Sequence, residues 1–141
     1  IRKGKYFVDA TTFFELNNNR ISGFPDVLTN FILNYKLNDF YLRLTGKYVG
    51  KFYTDNFDDK LKDYLALRPR FVKYVENFND AYFTADFFCS YEFNIFNAVS
   101  KSKFFLQVNN IFNLLYSAYA IGKEFFPAAE RSYLVGLQIG L

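Results

Sequence analysis

A two-residue periodicity, repeated in several segments, limits the fold of this chain more than any other feature. In the last segment, every second residue from Tyr133 to Leu141 is apolar, whereas the alternate residues from Ser132 to Gly140 are Ser, Leu, Gly, Gln and Gly. Side chains of a β-strand point alternately to the two faces of its sheet. The segment therefore predicts a strand with one wholly apolar face.

Further segments repeat this alternation, and none of their apolar rows contains a charged residue. They predict an all-β, antiparallel, up-and-down fold of about six strands, with a possible short helix around residues 59–67. The predicted strands span residues 6–16, 29–37, 40–53, 81–93, 103–112 and 131–141.

The turn between the second and third predicted strands fixes their register. Asn38 and Asp39 both tolerate positive φ and suit a two-residue hairpin turn. Such a turn places Leu37 opposite Phe40, so the apolar rows of both strands share one face. One residue more or fewer in the turn would move Arg43 to the apolar face.

Two features predict that the apolar face meets lipid rather than a soluble core. The apolar rows carry no charge, and their rings concentrate near the strand ends with mostly Val, Leu and Ala between. Aromatic belts around an aliphatic band are typical of transmembrane β-barrels. The predicted belts are Tyr6, Tyr35, Phe40, Tyr91, Phe93 and Phe104 at one rim, and Phe14, Tyr48, Phe52, Phe83, Phe112 and Tyr133 at the other.

The connections alternate in length as they do in such barrels. Three long loops, 17–28, 54–80 and 113–130, are predicted on one side, and short turns at Asn38 and at 94–102 on the other. Six strands would place both chain ends at the periplasmic rim. Six strands alone would also leave open edges in lipid. Residues 1–141 are therefore predicted to be the C-terminal portion of a larger barrel.

Composition excludes several classes of site. His is absent and Cys89 is the single cysteine, which rules out an internal disulfide, the usual zinc and copper ligand sets and His-dependent nucleophiles. A net charge of +3 without a basic block argues against a nucleic-acid partner. The spacing of the acids at 55–63 does not fit an EF-hand loop. We therefore expect no enzyme, cofactor or metal site.

Three stretches resemble TonB-dependent outer-membrane receptors. Residues 104–116, FFLQVNNIFNLLY, are similar to the penultimate-strand signature of that family, and the terminal strand matches in its Arg, Gly and apolar end residue. Residues 46–56, GKYVGKFYTDN, also resemble it. The matching residues, which we expect to be structural, are Asn109, Asn110, Phe112, Asn113, Tyr116, Arg131, Gly136 and Leu141.

The resemblance implies a Gram-negative outer-membrane barrel of about 22 strands with an amino-terminal plug. It implies active import of a scarce nutrient, such as a ferric siderophore, haem or cobalamin. Its partners would be outer-membrane lipid, the rest of the barrel and plug, and an inner-membrane energy-coupling complex. A passive porin or lipid channel, and a soluble β-domain that binds a ligand or partner, are the alternatives.

Possible cargo-facing residues lie on and after the third predicted strand. Arg43, Lys47 and Lys51 form a basic ladder on its inner face, suited to an anionic cargo, or alternatively to neutralising acids on neighbouring strands. Tyr53 and Tyr82 lie near the predicted outer mouth, where they would stack on a cargo or pack the loops.

Overall fold

The structure, a computed structural model, describes residues 3–67, 73–95 and 101–140. It is mostly β, with 52% strand, antiparallel sheets and one short helix in the described part, and the described strands do not close into a barrel. In chain order the elements are β1 (Lys5–Phe7), β2 (Phe13–Glu15), β3 (Leu28–Leu37), β4 (Phe40–Val49), β5 (Phe52–Tyr53), α1 (Leu61–Ala66), β6 (Phe78–Asn79), β7 (Tyr82–Phe93), β8 (Ser102–Asn109), β9 (Ser117–Ile121), β10 (Glu124–Pro127) and β11 (Ser132–Gln138).

The chain divides into two compact units. One, the sheet unit, comprises residues 28–49, 82–116 and 128–141. The other, the loop unit, comprises residues 1–27, 50–81 and 117–127. The loop unit is thus assembled from the amino-terminal segment and from parts of the two long connections of the sheet unit.

A five-stranded antiparallel sheet in the order β11-β8-β7-β4-β3 forms the sheet unit. Leu37 pairs with Phe40 across the turn, where Asn38 has φ 50°. The predicted two-residue turn and the predicted register of these strands are therefore confirmed.

Cross-strand pairing gives the sheet two different faces. On one face the registers align apolar residues of all five strands, and on the other they align mostly polar ones. Rows of the apolar face are Leu33, Leu44, Phe87, Val108 and Tyr133, and Tyr35, Leu42, Cys89, Leu106 and Val135. A row of the opposite face is Asn34, Arg43, Phe88, Gln107 and Leu134.

The loop unit has its own small core. Phe52, Tyr53 and Ala120 are buried, and the ring of Phe57 stacks on that of Tyr64 at 4.3 Å between centroids. The unit contains three short antiparallel pairs, β1 with β2, β5 with β6 and β9 with β10. The long connections are therefore folded structures rather than plain loops.

The predicted strand at residues 6–16 is wrong. It is the β1–β2 hairpin of the loop unit, because the Asp9 carboxylate accepts hydrogen bonds from the Thr11 and Thr12 amides and reverses the chain. The sheet unit therefore has five strands instead of six. With an odd number, Leu28 and Gln138 lie at opposite ends of the sheet. Ile1 and Leu141 lie outside the described residues, so the prediction of both chain ends at one rim stays a prediction.

The predicted strand at residues 40–53 is too long. It ends at Val49, and the Gly50 amide donates to the Val27 carbonyl within the loop unit. The short helix expected around residues 59–67 is confirmed as α1, entered through a 3₁₀ turn at Asp58–Lys60. No helix of the described residues is long and apolar enough to cross a membrane.

Candidate functional site

The apolar face of the sheet unit is the largest feature that needs a functional explanation. Its side chains on the two edge strands are exposed, with 49% of Leu33, 60% of Val135 and 60% of Leu137 accessible. On the three inner strands, Tyr48, Phe83, Tyr91 and Phe104 are exposed as well, whereas other side chains of the face are half-buried, among them Leu42, Leu44 and Phe87. None of its described positions carries a charge. In water such a face would be an aggregation or interaction surface.

Rings lie toward both ends of this face. Tyr91 pairs with Phe40 on one side and Phe104 on the other, close to the short turns. Toward the opposite end Phe83 pairs with Tyr48, and its ring centroid is 6.1 Å from that of Phe112. Three members of the predicted belts do not belong to this face, because they are part of the loop unit: Tyr6, Phe14 and Phe52.

Arg43 lies on the polar face and is exposed. Its Nε donates to Asn34 Oδ1 and to the Tyr41 hydroxyl oxygen, both at 3.0 Å. The Tyr41 hydroxyl donates to the same Asn34 oxygen at 2.7 Å. Arg43 pairs in register with Phe88. These contacts hold the guanidinium on the sheet surface without neutralising it.

The acids that were expected to balance Arg43 lie elsewhere. Glu92 pairs in register with Lys103, and its carboxylate approaches Lys101 Nζ at 3.8 Å. Lys101 also forms an ion pair with Asp39, whose carboxylate raises the pKa of Lys101. Asp39 and Glu92 therefore pair with Lys101 and not with Arg43.

The basic ladder is shorter than predicted. Lys47 is exposed on β4, two rows from Arg43, and pairs in register with Asn30 and Thr84. Lys51 follows the end of β4 and belongs to the loop unit, where its ammonium lies 3.6 Å from the centroid of the Phe78 ring. Only two of the three predicted cations thus share the polar face.

Both candidate tyrosines make packing contacts. Tyr53 is only 2% exposed, and its hydroxyl donates to Asp59 Oδ1 at 2.5 Å. Burial, together with that carboxylate, raises the pKa of Tyr53 above its ordinary value of 10.0. The half-buried Tyr82 packs its ring on that of Tyr116, with 4.3 Å between centroids. This burial favours a structural role for Tyr53 over direct contact with a cargo.

The asparagines of the family-like motif bond to backbone groups around the connection from β8 to β11. Asn110 is buried with φ 52°; its Oδ1 accepts from the Leu114 amide at 3.0 Å and its Nδ2 donates to the Leu114 carbonyl at 2.9 Å. Asn113 Oδ1 accepts from the Arg131 amide at 3.0 Å. Asn tolerates this left-handed backbone better than most residues. The cluster therefore closes the loop.

The remaining motif residues lie beside it. Asn109 Nδ2 donates to Ser132 Oγ at 3.0 Å, and Arg131 Nη1 donates to the Tyr133 hydroxyl at 3.4 Å. Phe112 is exposed on the apolar face. Gly136 lies under the ring of Phe105. Leu141 lies outside the described residues.

Sequence reasoning missed two partners of this cluster. Asp86 Oδ1 accepts from the Asn110 amide at 2.8 Å, which ties the motif to β7. Phe105 covers Gly136 from the neighbouring strand. A glycine on a strand often marks a close approach of another group. Gly136 on the last strand was therefore the signal that a side chain of the neighbouring strand, here Phe105, lies close to it.

No group of three or more His, Cys, Asp or Glu side chains in the described parts of the chain is arranged to hold a metal ion. Comparison of the chain with protein-family models, with curated proteins and with solved structures found no match.

Proposed function

We propose that the chain is part of the transmembrane wall of a TonB-dependent outer-membrane receptor, an active importer of a scarce nutrient. The observation that carries the proposal is the uncharged apolar face, exposed over five strands and opposed by a polar face. Burying such a face in hydrocarbon removes its apolar area from water. A transmembrane barrel has this inverted arrangement, with apolar side chains outward and polar ones inward.

Strand dimensions support a membrane-spanning wall. β3 and β4 are each 10 residues long and β7 is 12. Ten residues at about 3.3 Å each, tilted near 40°, span about 25 Å, the height of the apolar band of outer-membrane barrels. The shorter strand β8 is followed by the asparagine motif that begins at Asn109, and β11 is followed by the segment after Gln138.

The open edges of the sheet support a larger barrel. β3 and β11 each pair with one strand only among the described residues. Unpaired backbone groups cannot face hydrocarbon without a large cost. In the proposed receptor, further strands cover both edges and close the wall around a plug. Energy reaches that plug from an inner-membrane complex.

The site of cargo contact is proposed on the polar face. Arg43 and Lys47 point away from the apolar rows and are exposed, so they meet the interior of the barrel. Two cations on this wall favour an anionic cargo, such as a ferric chelate.

Spin labelling of the full-length protein in lipid tests the orientation. With Cys89 replaced by Ser, a nitroxide is attached in turn at Leu44→Cys, Phe87→Cys, Arg43→Cys and Phe88→Cys. We expect labels at 44 and 87 to collide mainly with dissolved oxygen, and labels at 43 and 88 to lack that lipid signature. Labels at 44 and 87 that are immobilised by protein, or accessible to a water-soluble relaxation agent, contradict the proposal.

Uptake experiments distinguish active import from a passive channel. Cells that produce the full-length protein are given candidate chelates with and without an uncoupler of the inner-membrane proton gradient. Active import stops when the gradient collapses. Uptake that continues at the same rate supports the porin alternative.

A further inference from the structure

The loop unit contains an open cavity of about 480 Å³. Among the described residues, its lining includes three cations and two amides but no carboxylate. The cations are Lys3, Lys5 and Arg20, and the amides are Asn19 and Asn56. All lining residues belong to the loop unit, so the cavity shares none with the two faces of the sheet. Binding sites for small organic molecules usually have volumes of about 300–1,000 Å³.

Hydrogen bonds hold one wall of this cavity in place. Asn19 is buried, and its Nδ2 donates to the carbonyl of Asn56 at 3.0 Å and to that of Phe57 at 2.9 Å. Asn56 Oδ1 accepts from the Ser22 amide at 3.1 Å, which fixes the orientation of the Asn56 side chain. Its Nδ2 makes no hydrogen bond to any described residue. The wall therefore keeps one amide donor available for a bound molecule.

Arg20 is part of the same wall, but its charge is already balanced. Its Nε lies 2.8 Å from Asp26 Oδ2, and its Nη1 lies 3.9 Å from Asp58 Oδ1. Neither carboxylate lines the cavity. The positive charge that remains for a ligand therefore comes from Lys3 and Lys5.

Neither of these lysines forms an ion pair within the described parts of the chain. Glu15 pairs in register with Lys5, but its carboxylate accepts a hydrogen bond from Asn17 Nδ2 at 3.2 Å. The Lys5 ammonium lies 4.0 Å from the centroid of the Phe13 ring. A cation–π contact at an exposed site is weaker than a charge-assisted hydrogen bond. The ring therefore does not take the place of an anion.

We propose that this cavity binds a small organic molecule that carries a phosphate group. The phosphate oxygens accept from the ammonium groups of Lys3 and Lys5 and from Asn56 Nδ2. Two cations without an ion pair favour a dianion over a single carboxylate. The organic part of the ligand packs on Leu16 and Ile21, which also line the cavity.

This inference goes beyond the proposed function, because it does not require the sheet to lie in a membrane. Two sources present the same chemistry, a soluble phosphate ester and a lipid headgroup that ends in a phosphate monoester. The test therefore starts with a soluble probe and then separates the two sources.

Isothermal titration of the purified full-length protein with phenyl phosphate tests the proposal, in detergent if the protein needs it. Benzyl alcohol, which has a ring but no anion, is the matched probe. We expect phenyl phosphate to bind one molecule per chain at this site and benzyl alcohol not to bind. Absence of saturable binding of phenyl phosphate overturns the proposal.

Substitutions assign the bound probe to the cavity. The double variant Lys3→Gln with Lys5→Gln should weaken binding of phenyl phosphate about ten-fold or more, since it removes charge-assisted hydrogen bonds. Lys62→Gln is the matched control, because Lys62 is also exposed in the loop unit and lies 4.8 Å from the centroid of the Tyr74 ring, but does not line this cavity. It should leave the affinity unchanged. Thermal unfolding selects the variants that fold.

Two results of these titrations contradict the inference. Equal weakening in the double variant and in Lys62→Gln would assign the binding to general charge attraction. If Arg43→Gln weakens binding and the double variant does not, the probe occupies the polar face of the sheet, and only the inference about the cavity fails.

Phosphatidic acid separates the two sources of the phosphate. The titration is repeated in phosphatidylcholine bilayers with and without phosphatidic acid, whose headgroup is a phosphate monoester. A lower apparent affinity for phenyl phosphate in the presence of phosphatidic acid, for the wild type but not for the double variant, assigns the cavity to a lipid headgroup. An unchanged affinity assigns it to a soluble ester.

Discussion

The ring of Phe105 lies over Gly136, its partner on the neighbouring strand. A Cβ at position 136 would overlap ring atoms of Phe105. Gly136→Ala therefore forces the ring or the strand to move, and we expect a loss of about 1–3 kcal/mol in stability. Thermal unfolding of the full-length protein in detergent, followed by heat-modified gel mobility, measures the change.

A smaller side chain at position 105 should relieve that overlap. The double variant Gly136→Ala with Phe105→Leu is expected to recover part of the lost stability. The single variant Phe105→Leu should lose some stability, because it removes ring contacts. If the Gly136→Ala protein unfolds at the wild-type temperature, the ring has room that the structure does not show.

Asn110 is expected to be the most sensitive residue of the loop closure. Asn110→Asp keeps the size of the side chain and an acceptor for the Leu114 amide. It also turns the donor toward the Leu114 and Ala129 carbonyls into a second acceptor. The buried group then lacks partners, at a cost of about 1–3 kcal/mol. If the chain is the proposed receptor, we expect less assembled protein in the outer membrane, quantified by immunoblotting of unheated samples.

The exposed Asn18 provides the matched control for this substitution. It also has a positive φ, 62°, but it lies in the loop unit. Asn18→Asp should therefore leave assembly near the wild-type level. Equal losses in both variants would show that left-handed backbone, and not the side-chain bonds of Asn110, sets the sensitivity.

Insertion into the turn at Asn38 tests the parity of the sheet. One added glycine between Asn38 and Asp39 exchanges the faces of β4 relative to β3 and moves Arg43 into the apolar row. We expect this variant not to assemble. Two added glycines restore the parity and should assemble at close to the wild-type level. Protease resistance measures assembly. If both insertion variants assemble, the two faces of the sheet do not meet different environments.

The Asp9 turn should respond to acid. Hydrogen bonds from the Thr11 and Thr12 amides lower the pKa of Asp9 from 3.8 to about 2. Because the folded-state pKa lies below the unfolded value, the carboxylate stabilises the hairpin above about pH 4 and loses this contribution as the pH falls toward 2. Exchange of the Thr11 and Thr12 amides should therefore accelerate over this interval relative to the exchange of an unfolded peptide at the same pH.

The variant Asp9→Asn serves as the control for the acid response. Its side chain retains an oxygen acceptor but does not titrate, so amide exchange at Thr11 and Thr12 should lack the additional acceleration below pH 4. The same acceleration in the wild type and in Asp9→Asn would assign it to another group.

Strand positions and faces could be predicted because alternation and turn length constrain each other. The pairing of Leu37 with Phe40 followed from two residues of turn, and the charge-free rows identified the shared face. The hairpin at residues 5–15 was not predicted, because Tyr6 pairs with Phe14, eight positions along the chain. An even separation preserves the alternation across the turn, so two short strands are read as one. The sequence Asp-Ala-Thr-Thr at 9–12 was the feature that indicated a turn instead of a continuous strand.

The candidate cargo residues were harder to predict, because their roles depend on where β4 ends. The alternation continues past Gly50 to Phe52, yet the strand stops at Val49. Lys51 and Tyr53 consequently fold into a different unit. Likewise, the periodicity predicted that Arg43 and Lys47 share the inner face, but not that Tyr41 and Asn34 fix the guanidinium.

Five strands have a consequence for topology experiments. Since the chain crosses the sheet an odd number of times, the residues directly before Leu28 and those directly after Gln138 leave it in opposite directions. In the proposed membrane setting, an epitope inserted next to Leu28 would be reached by antibody on intact cells. The same epitope placed after Gln138 would be stained only in cells whose envelope had been permeabilised.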